Sequence, residues 1–226
     1  MPIITALETQ QHDPERVNVY LDGEFGFGAS AMVAMARNLR EGRELSEEDV
    51  RALLHDDAVE RAYAAALNFL SYRPRSRREI ETYFIKRKTE PEIASAVVQR
   101  LERARLIDDR AFATYWLENR QTFRPRGSRA LRLEMRRKGL ESEVIDETLE
   151  GLQDEEELAY EAGLRKARSL SGLEEREFFR KLVAFLQRRG FSYEDASAAT
   201  RRIYSEREDP SSGCSPSPPE GEGVRG

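Results

Sequence analysis

The sequence holds one cysteine, one tryptophan and two histidines among 226 residues. A lone Cys214 excludes a disulfide within one chain, and no zinc cluster can be assembled from thiolates. His12 and His55 lack cysteines or suitably spaced carboxylates to complete a metal site, so both read as surface residues. No Ser/His/Asp or Cys/His set for covalent catalysis can be drawn from the chain. Every apolar run falls far short of the ~18 residues that a membrane span requires. The N-terminus has no basic stretch followed by an apolar one, as a secretory leader would. These absences lead to the expectation of a cytoplasmic protein with no membrane association, no metal and no cofactor.

Three stretches invite chemistry and do not carry it. "GEFGFGAS", residues 23–30, places its glycines as GxxGxG, which is not the dinucleotide order, and no Lys-Ser or Lys-Thr follows. Asp108-Asp109 and "DEEE" at 154–157 read as carboxylates at helix starts, where they complement the helix dipole.

What the chain has in abundance is charge, 35% of its residues, unevenly spread behind a net value of −5. Residues 1–57 carry 5 basic and 12 acidic side chains, residues 58–140 carry 20 and 10, and residues 141–209 carry 11 and 18. A block with a balance of +10 inside an acidic chain points to an anionic partner, either nucleic acid or an acidic protein face. The competing reading is a set of solvated helix faces whose basic and acidic segments attract one another.

The organisation is a β-hairpin followed by repeated helices. Val17–Leu21 and Glu24–Phe27 are β-prone runs around Asp22-Gly23, a turn that needs positive φ, and Ile3–Leu7 can add a third strand. Helical text follows over Ala29–Asn38, then a helix that Ser46 caps with Asp49 at its third position. Beyond residue 57 a shift of 51 residues aligns the chain with itself twice: Ile80, Leu131 and Leu182; Phe84, Met135 and Leu186; Lys88, Gly139 and Gly190. Each copy reads as three helices. In the first, Val59, Tyr63, Ala66, Leu67 and Leu70 form one apolar face, and Pro74 stops the helix. Ser76 with Glu79, then Thr89 with Glu92, form capping-box patterns that open the next two. In the second copy Asp108 is an N-cap, Trp116 shares a face with Phe112 as a core anchor, and Tyr115 is left open as core or stacking surface. Gly139 and Gly190 are helix stops, and Ser192 caps the last helix. The expectation is a mainly α protein. Tandem three-helix repeats form an elongated, curved, solenoid-like array behind a small N-terminal segment with a β-hairpin. Its divisions are a first segment 1–57, repeats 58–107, 108–153 and 154–209, and a Pro/Gly/Ser tail 210–226 expected to be disordered.

Basic clusters stand at equivalent places in two copies. "RPRSRR" gives Arg73, Arg75, Arg77 and Arg78, and "KRK" gives Lys86, Arg87 and Lys88. "RPRGSR" gives Arg124, Arg126 and Arg129, and "RRK" gives Arg136, Arg137 and Lys138. Cations in a last helical turn offset the dipole, which accounts for the second cluster of each copy. The RPR segments precede helix starts, where positive charge is locally unfavourable. An anionic partner at that helix N-terminus would explain them. The third copy reads "LEEREF" instead, which suggests that the basic groove is confined to two repeats and that folding does not need the arginines.

"PERVNVYLDGEFGFG", "RPRSRREIETYFIKRK", "LIDDRAFATYWLENR" and "GSRALRLEMRRKGL" with "VIDETL" together resemble the RecX family, bacterial regulators of the RecA recombinase, over residues 3–209. Thr89 and Arg105 stand where the family often has glycine. The resemblance implies tandem three-helix repeats lying in the groove of the RecA–DNA filament. It implies limits on filament growth, ATPase and strand exchange, hence on DNA repair and the SOS response, without catalysis. The implied partners are the RecA filament and the single-stranded DNA within it. Separately, free DNA is expected to bind only weakly and with steep salt dependence, and the chain is expected to be a monomer. The competing function is a DNA-binding helical repeat protein acting without recombinase. Against it stand a pI of 5.4 and the lack of a helix face built to read bases. A nuclease or hydrolase using scattered carboxylates is the remote third.

Overall fold

A computed structural model describes residues 1–152 and 154–208. Cys214 and the expected disordered tail lie outside the described residues. The chain divides into two compact units, Met1–Phe112 and Ala113 onward.

In the first unit β1 (Ile4–Gln10), β2 (Asp13–Leu21) and β3 (Glu24–Ser30) form an antiparallel sheet in the order β1-β2-β3. Asp22 (φ 51°) and Gly23 (φ 90°) turn β2 into β3, as the Asp-Gly pair requires. Alternation along the strands sends Ile4, Val19, Phe27 and Ala29 to one side, where they pack with Val33, Leu45 and Leu53. The helix expected over Ala29–Asn38 is shorter: Ala29 stays paired with Val17, and Ser30 caps α1 (Ala31–Ala36).

The Ser46–Asp49 capping box opens α2 (Glu47–Ser71), which runs unbroken through residues 57 and 58. Asp57, 2% exposed, faces the sheet from this helix. Its carboxylate accepts both Arg16 guanidinium nitrogens at 3.1 Å and the Ser30 N–H at 2.8 Å, and pairs with Arg61 at 3.1 Å. A buried charge held by so many donors ties sheet to helix.

Ser76 and Glu79 cap α3 (Arg77–Lys86) reciprocally, as their spacing predicts. The Thr89 cap expected for α4 (Pro91–Arg103) is overturned: Glu90 is the N-cap and makes no side-chain cap bond. Pro91, lacking an N–H and fixed near helical φ, suits the first helical position and sets the start one residue later. Ala66, Ile80, Phe84, Val97, Val98, Leu101 and Ile107 form this core, whereas Leu67, expected inside, is 38% exposed.

The division between units falls within α5 (Asp109–Phe123), and α6 (Ser128–Arg137), α7 (Ser142–Glu150), α8 (Glu155–Arg168), α9 (Glu175–Arg188) and α10 (Tyr193–Glu208) follow. Three three-helix domains thus succeed the sheet. The 51-residue shift is exact in the backbone: α3, α6 and α9 end at 86, 137 and 188, and α4, α7 and α10 begin at 91, 142 and 193. Each stop is left-handed, at Lys88 (φ 56°), Gly139 (85°) and Gly190 (92°). The following N–H of residues 89, 140 and 191 donates back to Phe84, Met135 and Leu186 at 3.1, 3.2 and 3.3 Å. Those three side chains are fully buried, so helix stop and core position are set together.

Within the second unit the start of α6 lies against the end of α9. The Gly127 N–H donates to the Arg189 carbonyl at 3.1 Å. A Cβ on Gly127 would meet the Gly190 carbonyl carbon and the Phe191 nitrogen at 2.5 Å, so only glycine allows this approach. Leu158, Phe178, Leu182, Leu186, Phe191 and Ile203 fill the core of the last domain.

Candidate functional site

The first basic cluster is bound into its own domain more tightly than its sequence suggests. Arg73 makes a bidentate pair with Glu79 at 2.8 and 3.0 Å, so the capping carboxylate of α3 also anchors the arginine before it. Arg75 lies over the Phe69 ring at 3.9 Å, and its buried Nε has no partner. Burial first, then the Arg73 charge, pull the Arg75 guanidinium below its ordinary pKa. Arg77 bridges Glu81 (3.0 Å) and Glu102 (2.9 Å), and the hydrogen bond to Glu81 chiefly raises its pKa. Arg78, Lys86, Arg87 and Lys88 are exposed, with Arg87 5.4 Å from the Tyr83 ring.

The helix N-termini expected to await an external anion already hold one. The Arg77 N–H donates to Asp109 at 2.9 Å, and the Ser128 N–H donates to Glu155 at 3.1 Å. In each case the carboxylate comes from the first helix of the following repeat. The acidic helix starts singled out in the sequence therefore cap the preceding repeat as well as their own helix. Burial raises the Asp109 pKa, opposed by that backbone hydrogen bond and the Arg77 charge.

In the second unit Glu134, 16% exposed at its side chain, is the centre of a polar cluster. It accepts the Trp116 indole N–H at 2.9 Å and Arg120 Nε at 2.8 Å, and pairs with Arg126 at 2.8 Å. Arg120 and Lys138 lie 4.4 and 4.7 Å from the Trp116 ring. Trp116 is thus only half-buried, with two cations close to its ring, where the sequence suggested an apolar anchor; Tyr115 beside it is half-buried too. Arg129, Arg136 and Arg137 are exposed.

Of the four arginines in the two RPR segments, Arg73, Arg75 and Arg126 are engaged with their own fold. The expectation that folding does not need them is revised accordingly. Arg124 differs. It lines a groove of about 470 Å³ with Thr122, Phe123, Pro125, Arg165, Lys166, Phe185 and Arg189, and Glu161 is the acid on its wall. The Arg189 guanidinium sits 4.7 Å from the Phe185 ring and donates weakly to the Pro125 carbonyl at 3.4 Å. Desolvation first, then the charges of Arg126, Arg124 and Arg165, hold its pKa below the ordinary arginine value.

The sequence reading missed Arg165, Lys166 and Arg189 because it followed the RPR tripeptide. The 51-residue shift nonetheless places Arg188-Arg189 on Arg137-Lys138 and Lys86-Arg87. The basic grooves therefore extend into the third domain, contrary to the expectation of two repeats only. Lys166 also lines a neighbouring groove of about 330 Å³ with Arg180, Lys181 and Arg188.

Family models match in the order of the domains. Residues 2–46 match the regulatory protein RecX N-terminal domain, and residues 62–101, 108–149 and 154–200 match the first, second and third RecX three-helix domains. Regulatory protein RecX of Bacillus subtilis (strain 168) is 32% identical over 214 residues, spanning 92% of this chain and 80% of that relative. Regulatory protein RecX of Lactobacillus johnsonii is 31% identical over 198 residues, 86% of this chain and 72% of that one. A crystal structure of regulatory protein RecX superposes with a TM-score of 0.73 at 28% identity, covering 91% of this chain and all of the other. The RecX structure from Lactobacillus salivarius, at 24% identity and a TM-score of 0.57 over 66% of this chain, shares the fold. With every domain of the family present in the same order, the chain belongs to the RecX family of regulatory proteins.

Proposed function

We propose that this protein regulates the RecA recombinase by binding, without catalysing a reaction. It lies along the groove of the RecA–DNA filament, touching protein and single-stranded DNA, and limits filament growth, ATPase and strand exchange. Regulation of DNA repair and of the SOS response follows from that. The observation that carries this reading is the complete RecX domain order, sheet segment and three three-helix domains, in one chain. The excess of cations in residues 58–140 supports it, because a nucleoprotein filament is a dense array of anions.

The test is RecA ATPase on single-stranded DNA with and without stoichiometric protein. Slower hydrolysis and shorter filaments are expected; unchanged values at equal occupancy would sink the reading. Within it, the exposed cations Arg78, Lys86, Arg129, Arg136 and Arg137 are the better candidates for partner contacts. Replacing all five with Gln should weaken inhibition and leave thermal unfolding near the parent's. The competing function, DNA binding without recombinase, is favoured by one observation, the cation-lined groove of the second unit.

A further inference from the structure

We propose that the groove between Arg124, Arg165, Lys166 and Arg189 is a seat for single-stranded nucleic acid. The backbone phosphates would lie on these four cations, and an unpaired base would stack on Phe123.

Four cations converge on about 470 Å³, and Glu161 is the one carboxylate on the wall. Among the described residues none of these five side chains closes an ion pair, whereas the RPR arginines outside the groove are paired or packed. A partly desolvated arginine held among three others gains from an anion that settles there, because the attraction is stronger than in open water.

The shape extends beyond one anion. Lys166 lines both grooves, and Arg180, Lys181 and Arg188 line the second with it. That second wall is partly neutralised, since Lys181 and Arg180 approach Glu177 at 2.9 and 3.6 Å. The track still suits a chain of phosphates better than a single ion. Two classes of polyanion would fit, nucleic acid or an acidic peptide, and the aromatic favours the first. Phe123 is 65% exposed at the end of α5, immediately before Arg124. A bare ring beside a phosphate seat matches a base next to its own backbone phosphate, and only an unpaired base offers that face.

The inference names the ligand of one surface within the filament-binding function. It takes from that function only the source of the strand, since binding can be measured without recombinase. The probe is a fluorescently labelled thymidine oligonucleotide of about 20 nucleotides, longer than a typical single-strand site. In the full chain, Arg124→Gln with Arg165→Gln and Lys166→Gln should lower affinity at least tenfold. The slope of log affinity against log salt should shrink by about 2, at roughly 0.7 per phosphate contact. Phe123→Ala should weaken oligonucleotide binding and leave poly-glutamate binding unchanged. Circular dichroism must show both variants folded; Lys166→Gln alone, at the junction of the grooves, is the fallback if the triple variant unfolds. Unchanged affinity and slope in folded variants would overturn the inference. So would poly-glutamate competing as well as the oligonucleotide with Phe123→Ala silent, which would assign the groove to an acidic protein segment. Failure of the parent to inhibit ATPase while these binding results hold would remove the proposed function and leave the groove in place.

Discussion

Glu134 concentrates at one carboxylate what the second basic segment needs in order to fold. Its oxygens take the Trp116 indole N–H, Arg120 and Arg126, and its side chain is 16% exposed. Glutamine keeps the shape and one acceptor but removes the charge that two guanidinium groups face. Glu134→Gln should cost about 2–3 kcal/mol, between the loss of a charged hydrogen bond and the breaking of a buried pair. Urea unfolding measures the loss, and the chain's one tryptophan reports the site directly by fluorescence. An unchanged midpoint would show that Arg120 and Arg126 are satisfied by solvent. Asp109 behaves in the opposite sense. Burial raises its pKa in the fold, so the ionised form is the disfavoured one there. A raised folded pKa contributes stability fully present below the unfolded value, about 3.9, and lost as pH rises through the folded value. Asp109→Asn can still accept the Arg77 N–H. It should therefore be more stable than the parent near neutrality, and that advantage should vanish on acidification below the unfolded value. Thermal unfolding across pH would show it; an advantage that grows in acid would contradict the sign.

At the scale of elements, the helix stops explain why the repeats were legible. Ile80, Leu131 and Leu182 recur at one spacing because each is buried at the same turn of the same helix. The stops recur because a buried Phe84, Met135 or Leu186 must be followed by a left-handed residue that turns the chain back. Lys88 is the exception in type and not in geometry, holding φ 56° where the other copies have glycine. Lys88→Gly should stabilise the protein by about 1 kcal/mol, since a non-glycine residue pays for this conformation. A shift in denaturation midpoint at constant slope checks it. Gly190→Ala should do the reverse, and by more, because its Cβ would also meet the Ala130 nitrogen at 2.5 Å. The hairpin was equally legible, Asp-Gly being a local signal. What the sequence hid are pairings between distant elements. Asp57 beneath the sheet, Asp109 and Glu155 on the preceding repeat, and the Arg124–Arg189 groove each join residues at least 27 positions apart. No period or cap pattern encodes such partners. The RPR arginines read as spare for another reason: Arg73, Arg75 and Arg126 find Glu79, Phe69 and Glu134 six to eight residues away, a spacing set by how the chain turns between helices and not by a helical period.

For the whole molecule, the decisive quantity is the segregation of charge. A chain of net charge −5 is not drawn to DNA as a bulk object. Under the proposed function, attraction must come from the cationic residues 58–140, while the acidic first 57 residues, with a balance of −7, oppose it. Salt distinguishes direct contact from repulsion across solvent, because the Debye length is about 10 Å at 0.1 M and about 3 Å at 1 M. Glu15, Glu24 and Glu41 are exposed in the acidic segment. Replacing the three with Gln should therefore strengthen binding to a RecA–DNA filament below about 0.1 M salt, and the gain should fade as screening shortens the range. Filament binding by anisotropy across a salt series measures it. A gain that persists at high salt would mean that these carboxylates touch the partner directly, so that the sheet segment is part of the interface.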